Sequence, residues 1–211
     1  MTSRRTLLGA AAAAPLLAAC EGARHGAASA AGSGADLVMI IRHGEKPPAQ
    51  GAPYGVTEDG VRSDGSLTVR GWTRAGALAV LFADPRRPGL RRPDRIFAAS
   101  PGGGAGGAGG GKALRHSQTV TPLAGRLGQR LDLTYTKGEE RKLGKHLARL
   151  TGVTLVAWEH KAIPDIARGL GASVPAWPDD RFDLVWLFAR SSTTWRFSQA
   201  SQLLLPGDRP V

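Results

Sequence analysis

Three short clusters carry residue types suited to phosphoryl chemistry. Arg42-His43-Gly44-Glu45 follows the apolar run Leu37 to Ile41. Arg115-His116-Ser117-Gln118-Thr119 lies after a second short apolar stretch, and Glu159-His160 follows Val153 to Trp158. A neutral imidazole is a good nucleophile toward phosphorus, and the phosphohistidine it forms is labile. Guanidinium forks match phosphoryl oxygens two at a time and stay charged. A further imidazole adds a donor as charge develops on the equatorial oxygens. Two histidines and two arginines meeting at one rim would have what that chemistry needs.

Positioning them is a matter of strand ends. Leu37 to Ile41 (LVMII) is apolar without alternation, the pattern of a strand buried on both faces of a parallel sheet. Ile96 to Ala99, Leu131 to Leu133, Val153 to Trp158 and Phe182 to Phe188 read as further strands. Helical patterning is expected over Val69 to Phe82, Ala113 to Leu127, Glu139 to Leu150 and Ile163 to Leu170. Residues 46–66, rich in Pro, Gly and Asp, read as a loop, and 191–211 as a mixed tail with an edge hairpin. Strands alternating with helices predict an α/β fold, a three-layer α/β/α sandwich around a mostly parallel sheet. In such sheets ligands bind outside the carboxyl ends of the strands, where the three clusters fall.

Four blocks in this order carry a family resemblance. LVMIIRHGEKP resembles the hallmark of the histidine phosphatase superfamily, with its phosphoglycerate mutase-like fold. SLTVRGWTRAGALA is similar to its first helix. IFAASP followed by RHSQTVTPLA is similar to its second strand and second-arginine helix, and TLVAWEHKAIPDIARGLG to the strand bearing its second histidine. The match spans residues 36–188. It implies His43 as nucleophile, Arg42 and Arg115 as pocket arginines, His160 as second pocket histidine, and Gly44 at a close backbone approach beside the substrate. It implies a phosphohydrolase acting on a small phosphorylated substrate through a phosphohistidine, with no metal or other cofactor. The family's usual short spacing before the second arginine is interrupted here by a Gly/Ala insertion, and Lys161 after His160 sets the phytase-like branch aside. A leaving alkoxide needs a proton. Glu45, Glu139, Glu140 and Glu159 are the candidates, and the family's placement of this acid points to Glu139 or Glu140, with Glu140 preferred. A phosphomutase of the same fold and a non-catalytic anion-binding envelope protein are the alternative readings.

Composition bounds the rest. The chain has 211 residues, 42% hydrophobic and 21% charged, with a net charge of +11. One cysteine excludes a disulfide framework and a multi-cysteine metal site. Residues 1–19 read as an export signal. Arg4-Arg5 resembles a twin-arginine motif, and Leu17-Ala18-Ala19-Cys20 a lipobox. Cys20 is thus expected to carry lipid and anchor the protein in the cell envelope, with residues 20–35 as a tether and 36–211 as the folded domain. Gly106 to Ala113 imitates a Walker A loop, but Ala113 lacks the hydroxyl that would hold magnesium. His25 and His146 are expected to be inert, and His116 to play at most a minor part. Trp158, Trp177, Trp186 and Trp195 are expected to pack in the core and at its rim. Arg86, Arg87, Arg91 and Arg92 form a basic loop whose ordinary reading is solvated surface. No nucleic-acid-binding module is recognisable, so nucleic acid is not expected as a partner. Substrate specificity is expected in loops 46–66, 102–112 and 189–200.

Overall fold

The structure, a computed structural model, describes residues 36–102 and 114–211. The expectations placed on residues 1–19, on Cys20 and the 20–35 segment, on His25, and on Gly106 to Ala113 lie outside the described residues.

Strand β1 (Leu37–Arg42) is buried along its whole length. Alternate side chains enter opposite cores. Leu37, Met39 and Ile41 pack with Leu78 and Phe82 of helix α1 (Val69–Ala83) and with Val120 and Leu123 of α2 (Leu114–Leu127). Val38 and Ile40 face the other way. They pack with Leu143 and Leu147 of α3 (Glu140–Leu147) and with Ile163 and Ile166 of α4 (Ile163–Leu170). A run that must satisfy two apolar layers has no polar face, which is why it shows no alternation.

Strand β1 pairs in parallel with β4 (Val153–Trp158), which pairs in parallel with β2 (Arg95–Ala98), and β2 in turn with β3 (Leu131–Asp132). On the other side β5 (Leu184–Ser191) and β6 (Thr194–Ser201) add an antiparallel hairpin. The sheet order is β3-β2-β4-β1-β5-β6. Among the described residues this is a mixed α/β fold, a mostly parallel six-stranded sheet with helices on both faces, as the sequence pattern predicts.

Three differences from expectation exceed a single residue. Phe182 precedes β5 instead of opening it, and the strand runs on to Ser191. Helix α3 ends at Leu147, not Leu150, because Arg149 and Leu150 bond back three residues, to His146 and Leu147, and wind the chain out of the α-helix. The 189–200 segment is the β5–β6 hairpin and not a specificity loop. Ala189 pairs with Leu37, so its turn lies at the amino ends of the parallel strands.

Helices α3 and α4 touch backbone to backbone at Gly144 and Gly169. A Cβ at Gly169 would lie 2.6 Å from the Arg141 carbonyl oxygen, and one at Gly144 would overlap the Ile166 carbonyl oxygen. Gly-to-Ala changes inside helices ordinarily stabilise. Gly144→Ala is expected to destabilise by about 3 kcal/mol, because neither backbone can yield. Gly125→Ala, in α2 with nothing within 4 Å of the new methyl, should gain a few tenths of a kcal/mol or more. Denaturant unfolding of the two variants checks the contrast.

Candidate active site

The chain just after β1 and β4 and the start of α2, the helix that follows β2, come together around a hollow of about 540 Å³. His43 enters from β1, Arg115 and His116 from α2, and Glu159 and His160 from β4. Lys137 and the 46–64 segment complete the wall. The three clusters therefore meet where the topology requires, at the carboxyl edge of the parallel strands.

His43 is held by its backbone and its neighbour. Its N–H donates to the Trp158 carbonyl at 3.0 Å. Its ring is 4% exposed, and Nδ1 lies 2.7 Å from the Gly44 carbonyl oxygen. A carbonyl only accepts, so Nδ1 carries the proton and Nε2 keeps its lone pair. Burial pushes this imidazole well below its ordinary pKa, and the nearby His116, Arg42 and Arg115 add to the effect against the Gly44 bond. The ring is neutral at physiological pH, with one nitrogen able to attack.

The residue after it fixes the turn. The Gly44 N–H donates to Thr119 Oγ1 at 2.8 Å, and that hydroxyl donates to the Arg115 carbonyl at 2.6 Å. A Cβ at Gly44 would lie 3.0 Å from the Gly71 carbonyl oxygen of α1. Gly44 is needed for this packing and is not among the residues lining the hollow, so its close approach is to α1 instead of to a substrate.

Arg42 also stands back from the hollow's lining. Its guanidinium lies 3.6 Å over the Phe182 ring and donates to the Asp179 and Arg181 carbonyls at 2.6 and 3.2 Å. Burial pushes its pKa down to about 10 against the pull of Asp179 and Glu45, which still leaves it charged. Arg115 does line the hollow and donates to the Asp64 carbonyl at 2.6 Å. Burial lowers its pKa, with Glu159 and Asp64 opposing. His160 is 5% exposed, and its Nε2 donates to Asp179 Oδ1 at 2.8 Å. Its pKa is lowered by burial and by Arg42, with Asp179 opposing. Arg42 Nε, Arg115 Nε and His160 Nδ1 are all buried, and no described residue accepts from or donates to them. Buried nitrogens without partners are costly and rare, and three near one imidazole amount to a binding set with no protein counterpart.

The carboxylates resolve differently from expectation. Glu140 does not line the hollow. It accepts from the Trp158 indole N–H and the Gly138 N–H, both at 3.0 Å, and so ties the start of α3 to β4. Glu139 accepts from Thr136 and Lys142 at the same helix end. Glu45 turns away into an ion cluster with Arg70 and Arg74. Of the four candidates only Glu159 is on the wall, ion-paired with Lys137. Burial raises its pKa, but the Lys137 hydrogen bond and charge outweigh that and hold it below the usual carboxylate range.

Sequence reasoning undervalued three features. His116 is 2% exposed and its ring centroid lies 5.2 Å from that of His43, edge to face, so a third imidazole shares the wall. Its position next to Arg115 on a helix start was the available signal. The 46–64 segment is also more than a connecting loop. Val56 pairs with Arg62, and Arg62 stacks 3.6 Å over Tyr54. Gln118 accepts from the Leu67 N–H and donates to Ser66, fastening the segment to α2. His146 is not idle on a charged face. It is hydrogen-bonded to the Tyr135 hydroxyl at 2.9 Å and packs edge-on against Phe97.

No protein-family model matches this chain, and no curated protein sequence matches it. Solved structures share its outline. The protein histidine phosphatase SixA, solved with tungstate, is 17% identical over 79% of this chain and 97% of its own, with a TM-score of 0.49. A protein described as the phosphohistidine phosphatase SixA of Agrobacterium tumefaciens is 18% identical over 79% of this chain and 98% of its own, with a TM-score of 0.44. Mycobacterial hydrolase 2 is 16% identical over 78% and 90%, with a TM-score of 0.40. Similarity at this level does not assign an activity, and the case for one rests on the side chains around His43.

Proposed function

We propose that this protein is a phosphohydrolase of the histidine phosphatase type, acting on a small phosphomonoester. One observation supports this most: His43 presents an unprotonated Nε2 to a hollow shared with His116, His160 and Arg115, while three buried nitrogens nearby have no protein partner. In the first step Nε2 bonds to phosphorus as the bond to the leaving oxygen breaks. Arg115 on the wall and Arg42 behind it stabilise the charge spread over the three remaining oxygens, and His160 adds a donor once a bound phosphoryl dianion draws a second proton onto its Nδ1. In the second step water attacks phosphorus and the P–N bond breaks. Phosphate leaves, and His43 recovers its lone pair.

Glu159, ionised by its Lys137 partner, is suited to take the proton of the attacking water. It is less suited to protonate a leaving alkoxide. Substrates whose leaving oxygen needs little help, such as aryl phosphates, should outrun alkyl phosphates by an order of magnitude or more. The reading also includes attachment of the exported protein to a membrane through lipid on Cys20. It includes no nucleic-acid partner and no metal cofactor, the guanidinium groups supplying the positive charge.

The test is turnover of an aryl and an alkyl phosphate by the purified protein, with and without chelator, together with alkaline-quench trapping of a phosphoenzyme. Chelator-resistant hydrolysis with an acid-labile, alkali-stable phosphoenzyme is expected. Tight anion binding with no phosphoenzyme and no turnover would favour the anion-binding reading instead. Because burial holds His43 below 6.5, the active neutral ring persists as the solution is acidified. The acid limb of kcat/KM should therefore fall below pH 6.5, and a limb above it would contradict the nucleophile assignment.

A further inference from the structure

The net charge of the fold is distributed unevenly along the strand direction. The carboxyl ends of the parallel strands hold the hollow, and most of the carboxylates lie there too, including Glu45, Asp64, Glu159, Asp179 and Asp183. The amino ends are different. The 84–94 connection from α1 to β2 carries Arg86, Arg87, Arg91 and Arg92, and β2 opens on Arg95. The connections into β3 and β4 bring Arg130 and Arg149 to the same end. Arg190 and Arg196 arrive on the β5–β6 hairpin, whose register sets Ala189 against both Leu37 and Arg196. Facing these arginines are Asp36, Asp84 and Asp94. Asp36 pairs with Arg190 and Asp84 with Arg86, while Asp94 caps the Val153 N–H. Cations therefore outnumber carboxylates about threefold on the end opposite the hollow.

Charge placed there does little to draw a phosphorylated substrate inward, because exposed charges act over roughly a Debye length, about 8 Å at physiological salt. We propose that this amino-end face binds an anionic lipid bilayer and so turns the hollow away from the membrane. Two observations single out a bilayer as the occupant. The described chain begins at residue 36 on this face, and the lipid-attachment motif read from the sequence ends upstream at Cys20. The basic residues are also spread over three separate connections as well as the hairpin, a broad distribution that suits a sheet of headgroups better than one compact anion. Of the large exposed apolar side chains, Val80 lies on the last turn of α1 beside the 84–94 connection, while Tyr54, Val61 and Val69 lie outside these connections, so the contact is chiefly electrostatic. This inference does not depend on the catalytic reading.

The experiment uses the full chain and a variant with Arg92→Gln, Arg130→Gln, Arg149→Gln and Arg196→Gln. All four are exposed arginines outside the hollow. Co-sedimentation is measured on vesicles of pure phosphatidylcholine and on vesicles with one third phosphatidylglycerol, at low and at high salt. The unmodified chain should partition at least tenfold more strongly onto the anionic vesicles at low salt, and high salt should abolish the difference. The variant should lose most of that preference, since each cation near such a surface is worth roughly fivefold. Unchanged phosphatidylglycerol preference in the variant would overturn the proposal. So would capture by soluble polyphosphate with no preference for anionic vesicles. A far-ultraviolet spectrum and melting temperature equal to those of the unmodified chain show that loss of binding is not loss of fold.

Discussion

His43→Ala is expected to lower phosphomonoester turnover by ~10⁴-fold or more, as removal of a covalent nucleophile does. It should also remove the alkali-quenched phosphoenzyme entirely. The fold should survive, because among the described residues the only side-chain hydrogen bond lost is the one to the adjacent Gly44 carbonyl. His160→Ala is expected to behave differently. It removes an imidazole that can only donate to the phosphoryl group when doubly protonated beside Asp179, and not the attacking atom, so the loss should be nearer 10²- to 10³-fold. A trapped phosphoenzyme should then remain detectable, formed more slowly. Steady-state rates and trapping on the two variants separate nucleophile from stabiliser. Full activity in His43→Ala would end the catalytic proposal.

Arg74→Met is expected to cost about 3–5 kcal/mol of stability, the largest loss for a single side chain outside the apolar cores. Arg74 is 1% exposed. Its guanidinium meets Glu45 at 2.8 Å and Asp208 at 2.7 Å, and donates to Gln202 at 2.9 Å. Methionine keeps the apolar volume and leaves two carboxylates in protein surroundings without their cation. Combining Arg74→Met with Glu45→Gln and Asp208→Asn should recover part of the loss, because the unpaired charges go with it. Denaturant melts of the single and triple variants test this. The same cluster sets an acid limit. Burial raises the Asp208 pKa, but the Arg74 hydrogen bond and the Leu204 and Leu205 N–H groups outweigh that and hold it down to about 2. The stabilisation this provides is complete above the ordinary carboxylate range, 3.8, and drains away as the pH falls toward 2.

What was legible in the sequence follows from how local each signal is. Strand β4 and helix α4 have the expected limits, because VTLVAW is apolar between a glycine and a charged pair, and α4 ends at Gly171 in the left-handed conformation. The three candidate clusters were legible because strand ends in a parallel sheet must share an edge. The role of Glu140 was not, because its partner is the indole of Trp158, eighteen positions away, and no local pattern announces that bond. Glu45 could not be separated from Glu159 for a similar reason. Its fate is decided by Arg74 and by a C-terminal tail that folds back through Asp208. The wall built from residues 46–64 looked like a loop of turn-forming residues. Its attachment to α2 runs through single side chains such as Gln118, which carry no periodic signature.

The margins of the sheet bear on how copies of this protein meet at high concentration. One margin, β3, is only two residues long. The other, β6, has an exposed arginine at position 196 near its start and serine and threonine along the rest of its exposed side. An incoming strand would find too little backbone to join on the first side and would have to strip water from a guanidinium on the second. Both margins therefore disfavour the joining of one copy's sheet to another's, which works against fibre-like stacking in crowded solution.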